Sequence, residues 1–503
     1  MTFEPVYEKI KLNSERKKLC KQIRLDCKSE VSAEEVSSVL SVTAWAVITE
    51  SEIQNGQIRY GGKTIFYISY INADGTLKKC ECGNEFKGVV SDQTFGNDAR
   101  LFVTAKTDKT DYDLSGTKLC AGAYVSVCIS VGEYVEGQAL CGGDNIIVKE
   151  NEITSVKSCG VKTGVFPIEE EFETSYPIAE VLCHTAQPVL TAVQSGVGAI
   201  IVDGQVLLSV IALQKNEKND IIRENKTIPF RMEIECEDAM PNMQAIARVK
   251  ERSHKLDVAV DEDSAKSVLN ASVSICLEGE AFFEQPVTVA ADAFSTEREV
   301  EVTKKELTYC CACEPSYCSA AVQGRATTEE LPIGTVILAL GNEYVDGLSV
   351  RFEGGRALAS GVINATAFFR DGEGVAFTRR LETPFESELS CVVDGICCVD
   401  VTARAKNARA RIVSLNEVEM DVDIDFTVYP ESQKSVKIIG EIKDLGEKKK
   451  NDAGLSVYIP TEGEELWSLA KRLNVCPKSL VETNSDLQFP LTGKERIVVY
   501  RRK

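Results

Sequence analysis

The sequence of 503 residues predicts a mainly β protein with three tandem antiparallel β-sandwich-like repeat domains and a small C-terminal module of mixed α and β structure. Alternating apolar and polar residues run through most of the chain, and Gly, Asp and Asn interrupt them at turn spacing. No sustained helical periodicity occurs before residue 455. One strand–turn–strand pattern also occurs three times, which indicates three copies of one domain.

Each copy of this hairpin follows a glycine and ends on a phenylalanine. In the first copy, a strand from Thr64 to Ile71 leads into the polar turn at residues 72–75. The preceding glycines are Gly61 and Gly62, then Gly204, then Gly354 and Gly355. The closing phenylalanines are Phe86, Phe230 and Phe385. The recurrence places the repeat domains at residues 36–158, 165–300 and 305–442.

The segments outside the repeats are charged. Residues 1–35 are rich in Lys and Arg, and we expect an N-terminal arm that is either a solvated lead-in or a contact for an acidic partner. Residues 443–454, KDLGEKKKNDAG, lack the strand pattern and are predicted to be a linker. The C-terminal module then occupies residues 455–503.

Composition limits the kinds of partner and compartment. A net charge of −20 argues against nucleic acid and against general attraction to anionic membranes. The sequence has no apolar run long enough to span a membrane and no apolar core of a signal peptide near its start. Many of the 19 cysteines alternate with Val and Ala, as buried thiols acting as small hydrophobes do. We therefore expect a reducing, cytosolic compartment.

The residues favour a non-enzymatic protein without a cofactor. The sequence contains two histidines, His184 and His254, and the charged stretch around His254 predicts an exposed side chain. Nucleophilic catalysis by Ser or Cys normally needs a histidine base placed beside it. No glycine-rich phosphate-binding loop follows a strand. We expect no catalytic residues.

The cysteines allow three interpretations. Cys310 and Cys313 have the Cys-x-x-Cys spacing of a metal site, but a structural zinc ion usually takes four ligands and no second pair follows at a fixed distance. Cys391, Cys397 or Cys398 could approach them in space. We expect that these cysteines bind no metal and are free thiols at a domain junction. The remaining alternative is exposed thiols that oxidise into cross-links with other proteins.

The sequence of the C-terminal module predicts a strand, two helices and a second strand, in that order. Residues 456–459 form the first strand, and apolar residues then recur at helical spacing at Leu466, Leu469, Ala470 and Leu473. Pro477 suits the first turn of a second helix because its missing N–H would be unpaired there. Residues 497–500 return as a strand.

This order and its residues resemble a LysM domain. The resemblance is carried by Tyr458, Gly463, Leu466, Trp467, Ser468, Leu469, Ala470, Val475, Leu480, Asn484, Leu487, Leu491, Gly493 and residues 497–499. It implies a shallow groove for glycans that contain N-acetylglucosamine. The implied site residues are Gly463, Glu464, Glu465, Leu466, Trp467, Asn484, Leu487 and Leu491.

The module departs from the LysM pattern beside its glycine. Glu464 and Glu465 stand where the family usually has Asp-Thr, which removes a hydroxyl that could face a sugar. Two carboxylates near a helix N-terminus still favour the helix. The surface is therefore either a glycan groove or a LysM fold reused to bind a protein. Trp467 is either an aromatic platform in the groove or part of the module's core.

Three β repeats followed by a LysM domain resemble the SPOCS-domain proteins of spore-forming bacteria, in particular SipL-like spore coat morphogenesis proteins. The resemblance implies a non-enzymatic adaptor, made in the mother cell and recruited to the forespore surface and spore coat. It would link that surface to the SpoIVA-type morphogenetic ATPase of the coat through its LysM domain and β repeats, and its thiols could cross-link to other coat proteins. The alternative is a peptidoglycan-binding protein anchored by LysM.

Overall fold

The chain is almost entirely antiparallel β structure, which confirms the predicted mainly β class. The computed structural model describes residues 3–13, 17–91, 95, 99–216, 220–259, 266–353, 355–390, 396–448 and 454–500. Among these described residues, those between 4 and 447 form 21 strands, β1 to β21. By strand order they fall into three consecutive units, which we call unit 1 (4–144), unit 2 (147–294) and unit 3 (298–447).

Unit 1 contains two three-stranded sheets and one two-stranded ribbon. Its strands are β1 (Glu4–Asn13), β2 (Lys17–Ser32), β3 (Val36–Gln54), β4 (Gln57–Asn72), β5 (Leu77–Ser91), β6 (Arg100–Asp113), β7 (Lys118–Gly132) and β8 (Tyr134–Asp144). A short 3-10 turn, Ala33–Glu35, joins β2 to β3. The sheets have the orders β3-β4-β5 and β2-β7-β6, and β1 pairs with β8.

Unit 2 repeats this order, but its first and last strands are long, and each takes the place of two consecutive strands of unit 1. Its strands are β9 (Ile147–Glu173), β10 (Ile178–Ser195), β11 (Ala199–Gln214), β12 (Ile221–Glu235), β13 (Gln244–Ala259) and β14 (Val268–Phe294). The sheets are β10-β11-β12 and β13-β14-β9. The first part of β9 and the last part of β14 continue beyond the sheet as a paired ribbon.

Unit 3 has the same arrangement. Its strands are β15 (Arg298–Ala312), β16 (Ser316–Thr327), β17 (Val336–Glu353), β18 (Arg356–Arg370), β19 (Ala376–Leu389), β20 (Ile396–Ser414) and β21 (Glu417–Glu447). The sheets are β17-β18-β19 and β16-β21-β20, and the last part of β21 pairs with β15.

In each unit the two three-stranded sheets enclose an apolar core, because alternate side chains of every strand point toward the facing sheet. Buried residues from both sheets form one cluster per unit. Representative members are Phe66 and Val125 in unit 1, Val206 and Ile275 in unit 2, and Ile363 and Ile424 in unit 3.

The first strand of each unit pairs with the last, and these pairings form three ribbons. Their outer registers are Glu4 opposite Asp144, Ile147 opposite Phe294, and Arg298 opposite Glu447. Apolar side chains from all three ribbons share one buried cluster, which we call the ribbon core. Its members are Ile10, Leu12, Ala139, Ile153, Val289, Leu307, Tyr309, Cys311, Val436 and Ile438. The three units are therefore joined through a common centre.

Polar contacts connect every pair of units. Arg100 of unit 1 lies 2.8 Å from Glu280 of unit 2, and both side chains are largely buried. The Tyr429 hydroxyl of unit 3 donates to the Ala247 carbonyl of unit 2 at 2.8 Å. Further bonds join units 1 and 3, among them the Tyr344 hydroxyl donating to the carbonyl of residue 108 at 2.7 Å. Each unit consequently contacts both others.

The segments outside the predicted repeats differ from the sequence-based expectation. The predicted solvated arm is wrong, because β1 pairs with β8 and β2 is the edge strand beside β7. Exposed charged residues on β2 resemble a solvated segment because one face of an edge strand meets water. The first part of the predicted linker is also strand, since β21 runs to Glu447, while residues 449–453 lie outside the described residues.

The repeated phenylalanines have a common structural role, because each lies opposite a glycine on the neighbouring strand. The pairs are Gly62 with Phe86, Gly204 with Phe230, and Gly361 with Phe385. The ring covers the glycine so closely that an added Cβ would collide with it in the first two pairs. In the third copy the partner is Gly361, whereas the sequence pattern pointed to Gly354 and Gly355.

This pairing predicts the effect of Gly204→Ala. The new Cβ would lie 2.6 Å from the Val189 carbonyl oxygen and would meet the Phe230 ring, so we expect the free energy of unfolding to fall by about 1–3 kcal/mol. Gly116→Ala is the matched control, because its Cβ would enter open space. Denaturant unfolding measures both variants, and equal losses of stability would contradict the proposed packing.

Candidate functional site

The C-terminal module contains β22 (Leu455–Tyr458), α1 (Leu466–Leu473), α2 (Pro477–Thr483) and β23 (Ile497–Tyr500). The predicted order of strand, helix, helix and strand is thus observed, and β22 pairs antiparallel with β23. Leu469, Ala470 and Leu473 are the buried face of α1. Asn474 ends this helix in the left-handed conformation, with φ of 55°.

Two segments of the implied glycan groove, the loop before α1 and the loop after α2, are hydrogen-bonded to each other. The Gly463 N–H donates to the Leu491 carbonyl at 2.7 Å, and the Leu491 N–H donates to the Glu464 carbonyl at 3.0 Å. Gly463 has φ of 80°, which a residue with a Cβ adopts only with strain. These backbone groups already have partners within the module.

The two glutamates that depart from the family pattern differ in environment. Arg472 holds the Glu464 carboxylate with hydrogen bonds of 2.9 and 2.8 Å, and the Glu464 side chain is only 9% exposed. The bond from Arg472 is the main cause of a lowered pKa at Glu464. Glu465 is exposed at the start of α1 and makes no capping bond with its side chain. Only Glu465 of the two is available to a ligand.

The remaining predicted groove residues mostly stabilise the module. Asn484 donates to the carbonyls of Leu480 and Val498 and accepts from the Val498 N–H, each at 2.8 Å, so it ties α2 to β23. Leu491 is buried in the module's apolar cluster, and Leu466 and Leu487 pack against that cluster. These contacts explain the residue types without a sugar.

Trp467 lies at the contact between the module and unit 2. Its Nε1–H donates to Asp292 at 2.8 Å, and its ring meets Phe294 edge-on with centroids 5.2 Å apart. Lys471 of α1 also donates to both oxygens of Asp292, at 2.9 and 2.8 Å. Trp467 is therefore a docking residue between domains, and it also packs against the module's own apolar cluster, which was one of the two roles predicted for it.

A second contact fixes the same side of the module. The Asn474 side chain donates to the carbonyl of Thr296 at 2.7 Å and accepts from Lys448 at 2.7 Å. Neither Asp292 nor Asn474 was identified from the sequence, because nothing local indicates which distant strand α1 meets.

The side of the module formed by β22 and β23 presents apolar residues to solvent. We call Leu455, Val457, Ile459 and Tyr500 the apolar sheet face; each of these side chains is 58% to 73% exposed. Leu455 lies directly opposite Tyr500 in the β22–β23 register. Contiguous exposed apolar residues of this kind commonly mark an interaction surface.

The cysteine candidates do not assemble a metal site in the described part of the chain. Cys310 and Cys311 are buried, and Cys311 belongs to the ribbon core. No group of three or more His, Cys, Asp or Glu residues is arranged to hold a metal among the described residues. Cys391 and the side chains of Cys397 and Cys398 lie outside what the structure describes.

Among the cysteines that the structure describes, Cys20 is the exposed one. It faces Cys128 on the neighbouring strand, and the two Sγ atoms are 2.8 Å apart. The nearest thiol available to Cys20 is thus in the same molecule, whereas a cross-link to another protein would have to compete with it.

The two histidines are packed together between units 1 and 2, so the prediction that His254 is exposed is wrong. The His254 side chain is 1% exposed, and its Nδ1 contacts Glu251, which also accepts from Trp45 Nε1 at 2.7 Å. The His184 ring lies 4.6 Å from the His254 ring. Within the described structure, His184 Nε2 has no hydrogen-bond partner. Burial, reinforced by His254 and Lys79, lowers the pKa of His184 to about 3.

Because Asp292 accepts hydrogen bonds from Trp467 and Lys471, we expect Asp292→Asn to weaken the contact between the module and unit 2. Burial raises the pKa of Asp292, but the bonds from Lys471 and Trp467 lower it overall, so the carboxylate is charged at neutral pH. We expect the variant to weaken docking by about 1.5–3 kcal/mol, seen as faster hydrogen exchange of residues 466–473. The wild-type contact should weaken in the same way as the pH falls below about 4.

Asp257→Asn is the control for this variant, because Asp257 forms an exposed ion pair with Lys255. Unchanged hydrogen exchange of residues 466–473 in Asp292→Asn would contradict the docking role of Asp292.

The buried histidine predicts acid destabilisation. The folded-state pKa of His184 lies below its unfolded value, so its neutral form contributes stability that is complete above about pH 6.5 and decreases as the pH falls toward 3. At pH 5 this loss is about 2 kcal/mol. Unfolding between pH 7.5 and 5 should therefore depend less steeply on pH in His184→Gln than in the wild type, and identical slopes would contradict the assignment.

Comparison with known proteins adds no assignment to these observations. The chain matches no protein-family model, and no curated protein or solved structure was found to be similar to it. None of the described helices has the length and apolarity needed to cross a lipid bilayer.

Proposed function

We propose that this chain is a non-enzymatic adaptor of the bacterial spore envelope, with three SPOCS-like β domains and a C-terminal LysM-like module. In this proposal it is made in the mother cell and links the forespore surface to a SpoIVA-type coat morphogenetic ATPase. The strand–helix–helix–strand order of the module and the threefold strand order of the units support the family resemblance. Joined units can present several binding surfaces at once, which favours avidity in an assembly.

The observation that carries the proposal is the apolar sheet face. Leu455, Val457, Ile459 and Tyr500 expose apolar side chains on one side of a two-stranded sheet, while the opposite side of that sheet, with Ile497 and Val499, packs on the helices. An apolar protein surface would remove these side chains from water. We assign the apolar sheet face to the coat ATPase.

The predicted groove supports protein binding over glycan binding. The Glu464 carboxylate is occupied by Arg472, and the backbone groups of Gly463 and Leu491 bond to one another. A sugar would need polar groups that are free to exchange water for its hydroxyls. Binding of N-acetylglucosamine glycans near the exposed Glu465 is the competing function, and one experiment separates the two.

The test uses the full chain with Val457→Glu. A carboxylate in the middle of the apolar sheet face would be buried against the partner, so we expect affinity for the purified coat ATPase to fall at least tenfold. Val197→Glu is the matched control, because Val197 is a highly exposed valine in unit 2. Surface plasmon resonance measures the ATPase, chitin oligomers and solubilised peptidoglycan in parallel.

Equal ATPase affinity in the wild type and in Val457→Glu would overturn the assignment of this face. Saturable binding to chitin oligomers that is lost in Glu465→Lys, with no binding to the ATPase, would instead establish the glycan alternative.

A further inference from the structure

A cavity of about 960 Å³ lies where the three units meet. Most of its lining residues come from two strands of each unit: β3 and β6 in unit 1, β10 and β13 in unit 2, and β17 and β20 in unit 3. Neighbouring strands, among them β2, β19 and β21, contribute the rest. Pockets that hold small molecules in proteins have volumes of roughly 300–1,000 Å³. The cavity thus has the size of a ligand site, and no part of the adaptor proposal uses it.

Strand alternation determines which side chains reach this cavity. On β20, Ala403 and Ala405 belong to the apolar core of unit 3, so Thr402 and Arg404 project from the other face. On β6, Val103 belongs to the core of unit 1, and Thr104 projects from the opposite face. Because the cores take one face of these two strands, the polar side chains on the opposite face reach the cavity, where they lie among apolar lining residues such as Val47 and Val189.

The cavity lining has more cations than carboxylates, although the whole chain has a net charge of −20. The lining contains seven Lys and Arg side chains and five Asp and Glu side chains. All five carboxylates already have partners. Asp400, for example, contacts Lys18 at 2.9 Å and Arg248 at 2.7 Å.

Arg404 differs from most of these cations because it has no carboxylate within ion-pair distance among the described residues; Lys109 shares this property. The Arg404 guanidinium donates to the neighbouring Ala403 carbonyl at 3.3 Å, and its side chain is open to the cavity. Burial lowers the pKa of Arg404, partly offset by Glu251. Because this guanidinium faces the cavity without a carboxylate partner, its hydrogen-bond donors are available to pair with a bound anion.

Aromatic side chains lie in the same lining. Arg248 is stacked between Phe102 and Tyr429, with its guanidinium carbon 5.0 and 4.5 Å from the two ring centroids. Lys106 lies 5.5 Å from the centroid of Tyr344. Such walls favour a flat apolar body over a fully hydrated ion.

We propose that this cavity binds a small organic anion, whose carboxylate group pairs with Arg404 and whose aromatic body contacts Phe102 and Tyr344. The site is independent of the apolar sheet face, so it can exist whether or not the adaptor proposal is correct.

The test is calorimetric titration of the full chain in a low-chloride buffer, with benzoate as the probe and inorganic phosphate as the hydrated anion. We expect saturable benzoate binding in the millimolar range or tighter, weakened at least tenfold in Arg404→Gln. Arg59→Gln is the matched control, because Arg59 is an exposed arginine outside the cavity lining. Benzoate should raise the melting temperature of the wild type and of Arg59→Gln but not that of Arg404→Gln.

Three outcomes would overturn the proposal: no benzoate binding, equal binding in Arg404→Gln, or binding of phosphate at Arg404 in preference to benzoate. Because Arg404 is unpaired, we expect Arg404→Gln to melt at the same temperature as the unliganded wild type or above it. A lower melting temperature, not restored in Arg404→Lys, would assign Arg404 a structural role and would also overturn the proposal.

Discussion

The structure depends on one constraint, the antiparallel pairing of the first and last strands of every unit. This pairing closes each unit and extends a ribbon beyond its sandwich, as where Ile147 meets Phe294. The three ribbons bury their apolar faces together in the ribbon core, and burial of apolar area is the main favourable term in folding. Once the ribbons meet, the sandwiches are held close enough to enclose the cavity and to pack both histidines between units 1 and 2.

Charged contacts between units contribute more to selecting which surfaces meet than to the free energy of folding. Arg248 and Asp400 are 2.7 Å apart at the edge of the cavity, and both are removed from most of the solvent. Burial raises the pKa of Asp400, but the charges of Arg248 and Lys18 lower it to about 2. Desolvation offsets much of the attraction in such a pair, whereas loss of one partner leaves a buried charge. Units in the wrong arrangement would leave these charges unpaired.

The ribbon of unit 2 also positions the C-terminal module. Asp292 and Phe294 lie near the end of β14, where they contact Trp467 and Lys471 of α1. Because this side of the helix is occupied, a partner would have to bind another part of the module, and the apolar sheet face and the exposed Glu465 are among the surfaces that remain open to solvent. The proposed function therefore rests on a surface that becomes identifiable only when the docked side is known.

The sequence by itself determined the mainly β class, the three phenylalanine-ended hairpins and the order of elements in the C-terminal module. These are local properties, since period-two alternation, turn residues and helical spacing lie within a few residues of one another. Only the tertiary structure decided that β2 is an edge strand, that His254 is buried, that Trp467 docks on unit 2 and that Arg404 faces a cavity. Each of these depends on contact between strands that are distant in the sequence, and alternation determines which face of a strand is apolar without specifying which distant strand covers it.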